Sequence, residues 1–545
     1  MGVPHLFRYF ARRCPKAVQM WMPGMPGMPG MPGTPSGASE LHVDFNSVVH
    51  SAAREVLLRP APTDVAGDVE GEIIAACLAH LDRIAASIAP NAGLVHVAVD
   101  GVPPRAKMHQ QRSRRFVSVH RRRWEGVGRR KTAPEEPPLR PWDSNAVTPG
   151  TAFMARLGAA LERHADERST FEVSMSDEPG EGEQKIFERL RKRPPSGFAA
   201  VYGLDADLLL MAMAHPARDR IRIVREQDLG GPMQIVDPGS LARQTSDDVA
   251  RACGHVGNVG ATDLEGRMLE FVALCGLLGN DFMPGLPGAR IRDGALDGVV
   301  ATYGRVLSAS SDGRRLARGG PDALGGLDPT VLCEIAEALS RDEAGALIEL
   351  ERCPRERIVD EPEIVVVRDG GPGWRPRYYR RLFSGCLTSP DDVHAIAVEY
   401  AIAVAWNAAY VGEQRCLSVG WHYPHAHAPT ALDLHHALCS PPARIATAAA
   451  AAFDLADREH ALGAAAALSP AAWQLMLVLP PQSVGLMVDE ACRAVVEDRR
   501  LGCGHMYPTD FRLCTYLRDR LHECPPLLPP PDARLLAAAL LLVRA

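Results

Sequence analysis

Residues 95–116 read VHVAVDGVPPRAKMHQQRSRRF, and the fold of this chain can be worked out from them. They begin with a short apolar run, 95–99, that has the length and composition of a buried strand. The run ends at Asp100, and a strongly basic segment with helical spacing follows it. A buried strand with an acid at its end and a helix after it is typical of the repeating unit of an α/β sheet.

Two other apolar runs also end in an acid. They are LHVD at residues 41–44 and AVYGLD at residues 200–205, and helical patterns lie between the three runs. This alternation predicts an α/β fold with a parallel sheet. Ligands of such sheets bind at the carboxyl ends of the strands, which is where these acids are expected.

The second half of the chain has a different character. From about residue 324 it is rich in Ala and Leu with helical periodicity, for example over 330–347, 392–410 and 444–462. At 545 residues the chain is too long for one core of ordinary size. We therefore predict a block that holds the parallel sheet, residues 1–245, and a mainly helical block, residues 246–545, packed against it.

A repeat of Met, Pro and Gly interrupts the N-terminal block. Residues 22–33 read MPGMPGMPGMPG, and the Pro and Gly prevent both helix and strand. Four triplets are too few for a collagen helix, so we expect a mobile surface loop.

Composition narrows the class of protein. Hydrophobic residues make up 46% and charged residues 23%, as in globular proteins, and the net charge is -6. Nucleic acid could therefore be bound only through a local basic surface. Thirteen cysteines without a CxxC pair and the lack of a signal peptide indicate an intracellular protein, in cytoplasm or nucleus. No apolar stretch reaches the roughly 20 residues of a membrane span.

Carboxylates are concentrated at the predicted strand ends and in two glycine-containing motifs. Such a density of acids would repel itself unless cations neutralised it. Oxygen ligands without His or Cys favour Mg²⁺, or Mn²⁺ in its place. Two such ions about 4 Å apart can activate a water molecule and stabilise the leaving oxygen when a phosphodiester is cleaved. Any one of these acids alone could instead cap a helix or a turn. The acids are Asp44, Asp100, Glu181, Glu183, Asp205, Asp207 and Asp281.

The basic segment 105–116 is the candidate binding site for a phosphate. If it is helical, Lys107, Gln111, Arg114 and Arg115 lie at i, i+4, i+7 and i+8 and share one face. Guanidinium groups bind phosphate bidentately and Lys adds a point charge, although spacing alone also fits a solvated basic face. The later basic run, 121–131, is broken by Gly126 and Gly128, so we expect a flexible loop with general affinity for a phosphate backbone.

The motifs of this chain resemble those of the eukaryotic Xrn family of 5′→3′ exoribonucleases. The resemblance starts at the first residues, MGVP, and extends to the last helix. It rests on LHVDFNSVVH (41–50), DGVPPRAKMHQQRSRRF (100–116), WDSNAVTPGTAFMARL (142–157), PGEGEQKI (179–186), YGLDADLLL (202–210), GNDFMPGLP (279–287), WRPRYYRRLF (374–383), WHYPHAHAP (421–429) and LPPPDARLL (528–536).

The resemblance implies roles for particular residues. The seven acids correspond to a two-metal centre, and Lys107, Gln111, Arg114 and Arg115 to a pocket for a 5′-monophosphate. His50 and Trp421 correspond to aromatic residues that stack the first base. Gln184 stands where His is usual and Val419 where a second Trp is common. The chain also ends where the family's shared core ends, so we expect the long extensions of larger members to be absent.

The expected activity is processive hydrolysis of single-stranded RNA with a 5′-monophosphate to 5′-mononucleotides. Two alternatives remain: a 5′ or flap-type DNA nuclease, and a non-catalytic protein that binds RNA 5′ ends. The seven intact acids argue against the second alternative. The sequence leaves open which RNAs are degraded and whether a decapping or pyrophosphatase partner prepares their ends.

Overall fold

A computed structural model of the chain describes most of its residues. The described residues are 3, 5–21, 37–59, 68–132, 140–226, 232–254, 261–309, 314–317, 319, 323–353, 364–367, 373–383, 389–467 and 469–545. The Met-Pro-Gly repeat at 22–33 lies outside them.

At the centre of the fold, the described residues form a seven-stranded mixed sheet with the order β1-β7-β6-β5-β2-β3-β4. Its strands are β1 (Val18–Trp21), β2 (Glu40–Asp44), β3 (Leu94–Ala98), β4 (Phe171–Ser174), β5 (Ala199–Tyr202), β6 (Ile221–Glu226) and β7 (Met233–Val236). Strands β4, β3, β2, β5 and β6 are parallel, which confirms the predicted sheet, and β7 and β1 extend it antiparallel at one edge.

The three predicted strands are neighbours in this sheet. Central β2 pairs with β3 on one side and with β5 on the other, and Asp44 lies opposite Ala98. From β2 the chain adds β3 and β4 on one side, and it later adds β5 and β6 on the other side. A crevice forms at the carboxyl ends of the strands where the direction of winding changes in this way. The acids that follow the three strands are therefore brought to one place.

Helices cover the sheet and form most of the second half of the chain, as predicted. In the described residues they are α1 (Leu6–Arg13), α2 (Phe45–Leu58), α3 (Val69–Ile88), α4 (Arg105–Thr132), α5 (Ala152–Asp166), α6 (Gly182–Lys192), α7 (Asp207–Ala214), α8 (Pro238–Ala252), α9 (Ala261–Gly276), α10 (Ala295–Ala309), α11 (Pro329–Arg352), α12 (Trp374–Leu382), α13 (Pro390–Asn407), α14 (Ala431–Leu438), α15 (Pro442–Ala466), α16 (Pro470–Val478), α17 (Glu490–Glu497) and α18 (Ala533–Arg544). A π-helical segment, Ala408–Gly412, follows α13 directly. The three helices predicted in the second half correspond to α11, α13 with its π-helical extension, and α15.

Both faces of the sheet are buried, as the apolar runs require. On one face Leu41, Val43 and Val97 pack in a core with α2, α3 and α5. On the other, Val201 belongs to a larger core that continues through α7, α9, α11 and α13. The boundary predicted between residues 245 and 246 falls within α8, and the division into two blocks stays a prediction.

The basic run 121–131 was wrongly expected to be a loop. The backbone of α4 continues as a helix to Thr132, through Gly126 and Gly128. Glycine in a helix costs only about 1 kcal/mol relative to alanine, and the surrounding arginines favour helix. Local composition therefore outweighed the two glycines.

Among the described residues, the helical stretch Pro390–Gly412 is long and apolar enough to cross a membrane. However, 83% of its most apolar window is buried inside the fold, as in the central helix of a globular protein.

Candidate active site

Asp44 stands at the centre of the crevice, as the last residue of β2 and the N-cap of α2. Two glycines allow neighbouring loops to approach it. A Cβ on Gly182 would lie 2.9 Å from Asp44 Oδ1, and one on Gly203 would lie 3.3 Å from Asp44 Cβ. Burial, followed by the charges of Asp100 and Asp205, raises the pKa of the Asp44 carboxyl well above its usual range.

Asp100 is held by hydrogen bonds on both carboxylate oxygens. Asn46 Nδ2 donates to its Oδ2 at 2.8 Å, and the backbone N–H of Gly182 donates to its Oδ1 at 2.7 Å. The Asp100 N–H in turn donates to Asn46 Oδ1 at 3.1 Å. Burial and the nearby Glu181 raise the pKa of Asp100 to about 6. The orientation of this carboxylate is thus fixed by α2 and α6 together.

Glu181 and Glu183 lie at the N-terminus of α6, where the helix dipole favours negative charge. Lys185 of the same helix ties α6 to the ends of β3 and β4. The Nζ of Lys185 donates to the carbonyls of Val99 and Met175, which directly follow these strands. Glu181 Oε2 accepts a hydrogen bond of 2.8 Å from the hydroxyl of Tyr410. Burial and the charge of Glu181 raise the pKa of Glu183 well above its usual range.

Asp207 begins α7 and is the most deeply buried of the seven acids, with 2% of its surface exposed. Its Oδ1 has no hydrogen-bond partner among the described protein atoms. Burial and the charge of Asp281 raise the pKa of Asp207 to about 7. Asp205 lies two residues earlier, and its charge also acts on Asp44 and Glu183.

Among the described residues, the ammonium group of Lys107 lies in direct contact with these acids. Its Nζ is 2.7 Å from Glu181 Oε1 and 3.0 Å from Asp281 Oδ2, and all three side chains are at most 9% exposed. Burial alone would lower the pKa of Lys107, but the charges of Glu181 and Asp281 raise it well above its usual range. One ammonium group cannot balance seven ionised carboxylates, and the raised pKa values of Asp44, Asp100, Glu183 and Asp207 reflect their burial and mutual repulsion.

The donor set of this site suits hard divalent cations. Its ligands are carboxylate oxygens, which Mg²⁺ and Mn²⁺ prefer, and the Oδ1 of Asp207 is a buried acceptor to which none of the described residues donates. The residues that would hold the cations are the seven acids predicted from the sequence, and the structure brings all seven together around Lys107.

The predicted phosphate-binding residues lie along the first turns of α4 but have different surroundings. Lys107 is directed at the acids, whereas Gln111 Oε1 accepts a hydrogen bond of 2.9 Å from Gln474. Arg114 is exposed, and Arg115 is partly buried with an Nη1 that has no partner among the described atoms. Burial, followed by the charge of Arg114, lowers the pKa of Arg115 to about 9.

The two predicted stacking residues differ in accessibility. His50, on α2, is exposed to solvent. Desolvation by the surrounding protein, followed by the charges of Arg114 and Arg115, lowers the pKa of His50 to about 4. The ring is therefore neutral at pH 7. It lies close enough to these two arginines to be affected by their charges. Trp421 is 7% exposed and packs edge to face on Phe453, with ring centroids 5.7 Å apart.

Two residues that orient the acids were not identified from the sequence. Asn46 lies within the motif at 41–50, two residues after Asp44, so its place in that motif was a usable signal. Tyr410 gave no such signal, because it reaches Glu181 from a π-helical segment 229 residues away. Short π-helical segments of this kind are often found at functional sites.

Comparison with known proteins identifies relatives of this chain. Residues 1–227 match a family model described as "XRN 5'-3' exonuclease N-terminus", and residues 261–320 and 336–440 match one described as "Xrn1 helical domain". The chain is 30% identical over 368 residues to "5'-3' exoribonuclease 2" of Debaryomyces hansenii, which covers 57% of this chain and 36% of the relative.

Two further relatives give the same result. The "5'-3' exoribonuclease 2 homolog" of Caenorhabditis elegans is 30% identical over 382 residues, or 56% of this chain and 38% of the relative. The "5'-3' exoribonuclease 1" of Schizosaccharomyces pombe is 30% identical over 341 residues, or 57% of this chain and 24% of the relative. The matched region thus spans less than two fifths of the length of these relatives.

Proposed function

Because this chain belongs to the Xrn family of 5′→3′ exonucleases, we propose that it degrades single-stranded RNA processively from a 5′-monophosphate end and releases 5′-mononucleotides. The observation that carries the proposal is the cluster of seven carboxylates around Lys107 at the carboxyl ends of three parallel strands. We expect the protein to act inside the cell, in the cytoplasm or the nucleus.

The carboxylates are proposed to hold two Mg²⁺ ions, which Mn²⁺ can replace. Bound ions of this kind activate a water molecule and stabilise the leaving oxygen of a phosphodiester. The protein keeps the ligands in place: Asn46 and Gly182 orient Asp100, and Tyr410 orients Glu181. Rigid ligands reduce the reorganisation needed when the scissile phosphate arrives.

Lys107 contributes a positive charge that does not depend on bound ions. Its ammonium group can donate to a non-bridging oxygen of a phosphate placed over the acids, since it lies between Glu181 and Asp281. The carboxylates in turn keep this lysine protonated. A phosphate that enters the crevice is therefore met by a cation that lies among the carboxylates.

The 5′-monophosphate is proposed to bind Arg115, Arg114 and Gln111. The support for this is the partly buried guanidinium of Arg115, which has an Nη1 without a partner among the described atoms. A phosphate accepts from such a group bidentately. A 5′-hydroxyl end would leave the guanidinium unpaired, and a cap would not fit, so both ends should be poor substrates.

His50 is proposed to stack the first base, because its ring is neutral, solvent-exposed and adjacent to Arg114 and Arg115. Trp421 stays a candidate for the second stacking ring, although only 7% of its surface is exposed. RNA with a 5′-monophosphate end would be supplied to this pocket by a decapping or pyrophosphatase enzyme.

A time course with purified protein and Mg²⁺ tests the proposal. One 3′-labelled RNA is supplied with a 5′-monophosphate, a 5′-hydroxyl or a cap, beside the same strand as DNA. We expect selective loss of the monophosphate RNA, with 5′-mononucleotides as products and no loss in chelator. Preference for the DNA strand would support a flap-type nuclease instead, and binding without cleavage would support an RNA-end-binding protein.

A further inference from the structure

Two thiols and an imidazole come together where α14 packs against α11. None of the three residues belongs to the candidate nuclease site. Cys333 lies on α11, His435 lies on α14, and Cys439 directly follows α14 as its C-cap. The metal-ligating atoms of the three residues all lie within 4.8 Å of one another. Cys333 and His435 are partly buried, whereas Cys439 is exposed, so the cluster can exchange a ligand with solvent.

The backbone presents His435 and Cys439 as a pair. They are four residues apart, and the Cys439 N–H donates to the His435 carbonyl at 3.0 Å, so the helical turn places both side chains on one face. Two ligands at i and i+4 on one helical face can bind the same ion, and Cys333 offers a third from the neighbouring helix.

The imidazole is oriented for coordination through Nε2. His435 Nδ1 lies 3.2 Å from the carbonyl oxygen of Cys333 and 3.3 Å from its Sγ. When Cys333 binds a metal as a thiolate, both of these groups are acceptors, so the proton is on Nδ1. The lone pair of Nε2 is then free and faces Cys439 Sγ at 3.5 Å. A backbone carbonyl behind the ligating imidazole is the usual arrangement at protein metal sites.

Two of the separations between the ligand atoms are those of a tetrahedral zinc site, and the third requires a rotation of Cys333, whose Sγ lies 3.3 Å from Nδ1 of His435 and would turn toward Nε2. Bonds of about 2.3 Å to sulfur and about 2.0–2.1 Å to nitrogen place two sulfurs about 3.8 Å apart, and a sulfur and a nitrogen about 3.5 Å apart. Here the two Sγ atoms are 3.8 Å apart, and Cys439 Sγ is 3.5 Å from Nε2. A disulfide requires about 2.05 Å between the sulfurs, so the two thiols are not bonded to each other and both can serve as ligands.

We propose that Cys333, His435 and Cys439 bind one Zn²⁺ ion, with water as the fourth ligand, and that this ion joins α11 to α14. Thiolate and imidazole select zinc over Mg²⁺, so the two kinds of site would be filled by different ions. The zinc site is independent of the nuclease proposal, because it shares no residue with the carboxylate cluster.

Metal content and cobalt absorption test the site in the full chain. The protein is reduced with a phosphine, stripped with chelator, and exchanged into buffered free Zn²⁺ with excess Mg²⁺ to fill the carboxylate site. We expect one zinc per chain by mass spectrometry. Co²⁺ should give a thiolate-to-cobalt charge-transfer band and intense tetrahedral d–d bands, which carboxylate ligands do not produce.

Variants separate this site from incidental binding. Cys439→Ser and His435→Asn should weaken zinc affinity by about a hundredfold or more and abolish the cobalt band, since loss of an outer-shell partner alone costs about 10–100-fold. Cys353→Ser, at an exposed cysteine that follows α11, should keep both. Zinc content near zero in the wild-type protein, or equal zinc content in Cys439→Ser, would overturn the proposal. A Cys333–Cys439 disulfide whose reduced form takes up no zinc would do the same.

Discussion

The Nζ of Lys107 lies 2.7 Å from Glu181 Oε1, in an ion pair from which solvent is almost wholly excluded. Removing one partner from a buried pair leaves an uncompensated charge, which is strongly destabilising. The pair therefore couples the stability of the fold to the charge of the candidate active site.

Lys107→Met should destabilise the protein by about 3–5 kcal/mol in chelator, because Glu181 and Asp281 lose their cation. Saturating Mg²⁺ should restore a large part of this loss, since divalent cations neutralise the same carboxylates. Urea unfolding with and without Mg²⁺ measures both effects. Lys192→Met, at an exposed pair with Glu188, serves as the control and should cost less than about 1 kcal/mol. A loss that Mg²⁺ leaves unchanged would argue against metal binding at these acids.

Asp207→Asn should have opposite effects on activity and on stability. Activity should fall by about 10³-fold or more, as for a residue at the centre of a catalytic unit. Metal-free stability should rise by about 1–3 kcal/mol, because a buried carboxylate whose Oδ1 has no partner in the described part of the chain is replaced by a neutral amide. RNA degradation and urea unfolding in chelator test the two effects. Unaltered activity would show that Asp207 lies outside the reaction centre.

Tyr410→Phe should reduce activity by roughly 10–100-fold, because Glu181 loses the hydroxyl that orients it. Tyr410 acts through Glu181, so the Mg²⁺ concentration needed for half-maximal activity should rise together with the loss. Tyr400→Phe is the matched control: it removes a buried hydroxyl that donates to the carbonyl of Pro284 at 2.9 Å. It should lower stability by about 1 kcal/mol without changing the Mg²⁺ dependence. Equal effects of both variants on that dependence would contradict a positioning role for Tyr410.

Arg115→Gln should remove the preference for a phosphorylated end. Degradation of 5′-monophosphate RNA should slow by about 100-fold, whereas slow degradation of 5′-hydroxyl RNA should change little, since only the former uses the guanidinium. The ratio of the two rates is the measurement. Arg189→Gln, at a surface pair with Glu172, should keep the wild-type ratio. An unchanged ratio in Arg115→Gln would move the phosphate site elsewhere.

Glu343 predicts a dependence of stability on pH that is unrelated to the nuclease site. Its carboxylate is buried and accepts a hydrogen bond of 2.8 Å from the N–H of Ala431, and burial raises its pKa to about 8. Between about pH 4.5 and pH 8, the Glu343 carboxyl therefore keeps its proton in the folded state and has lost it in the unfolded state. Stability should fall by roughly 2–4 kcal/mol as pH rises from about 4.5 to about 8.

Urea unfolding over this pH range checks the prediction, with Glu343→Gln expected to remove much of the slope. The exposed Glu349 on the same helix offers a control, since Glu349→Gln should leave the slope unchanged. A wild-type slope in Glu343→Gln would assign the pH dependence to other groups.

The main features of the fold could be predicted because their signals are local. A strand such as β2 or β3 is identified from a short apolar run, and each acid that follows it occupies the same position relative to its strand. Parallel strands then bring those positions to one edge. The antiparallel edge strands β1 and β7 had no comparable pattern, and α4 continued through two glycines because the flanking residues favour helix.

By itself, the sequence determined the α/β class, the helical second half and the set of acids at the strand ends, since hydrophobic periodicity and strand-end position are properties of short segments. Only the tertiary structure decided which groups meet. Lys107 contacts Glu181 and Asp281, and Tyr410 reaches Glu181 from 229 residues away. Cys333 meets His435 across 102 residues in the same way. Such contacts depend on how helices pack, and packing is set by the shapes of many distant side chains at once.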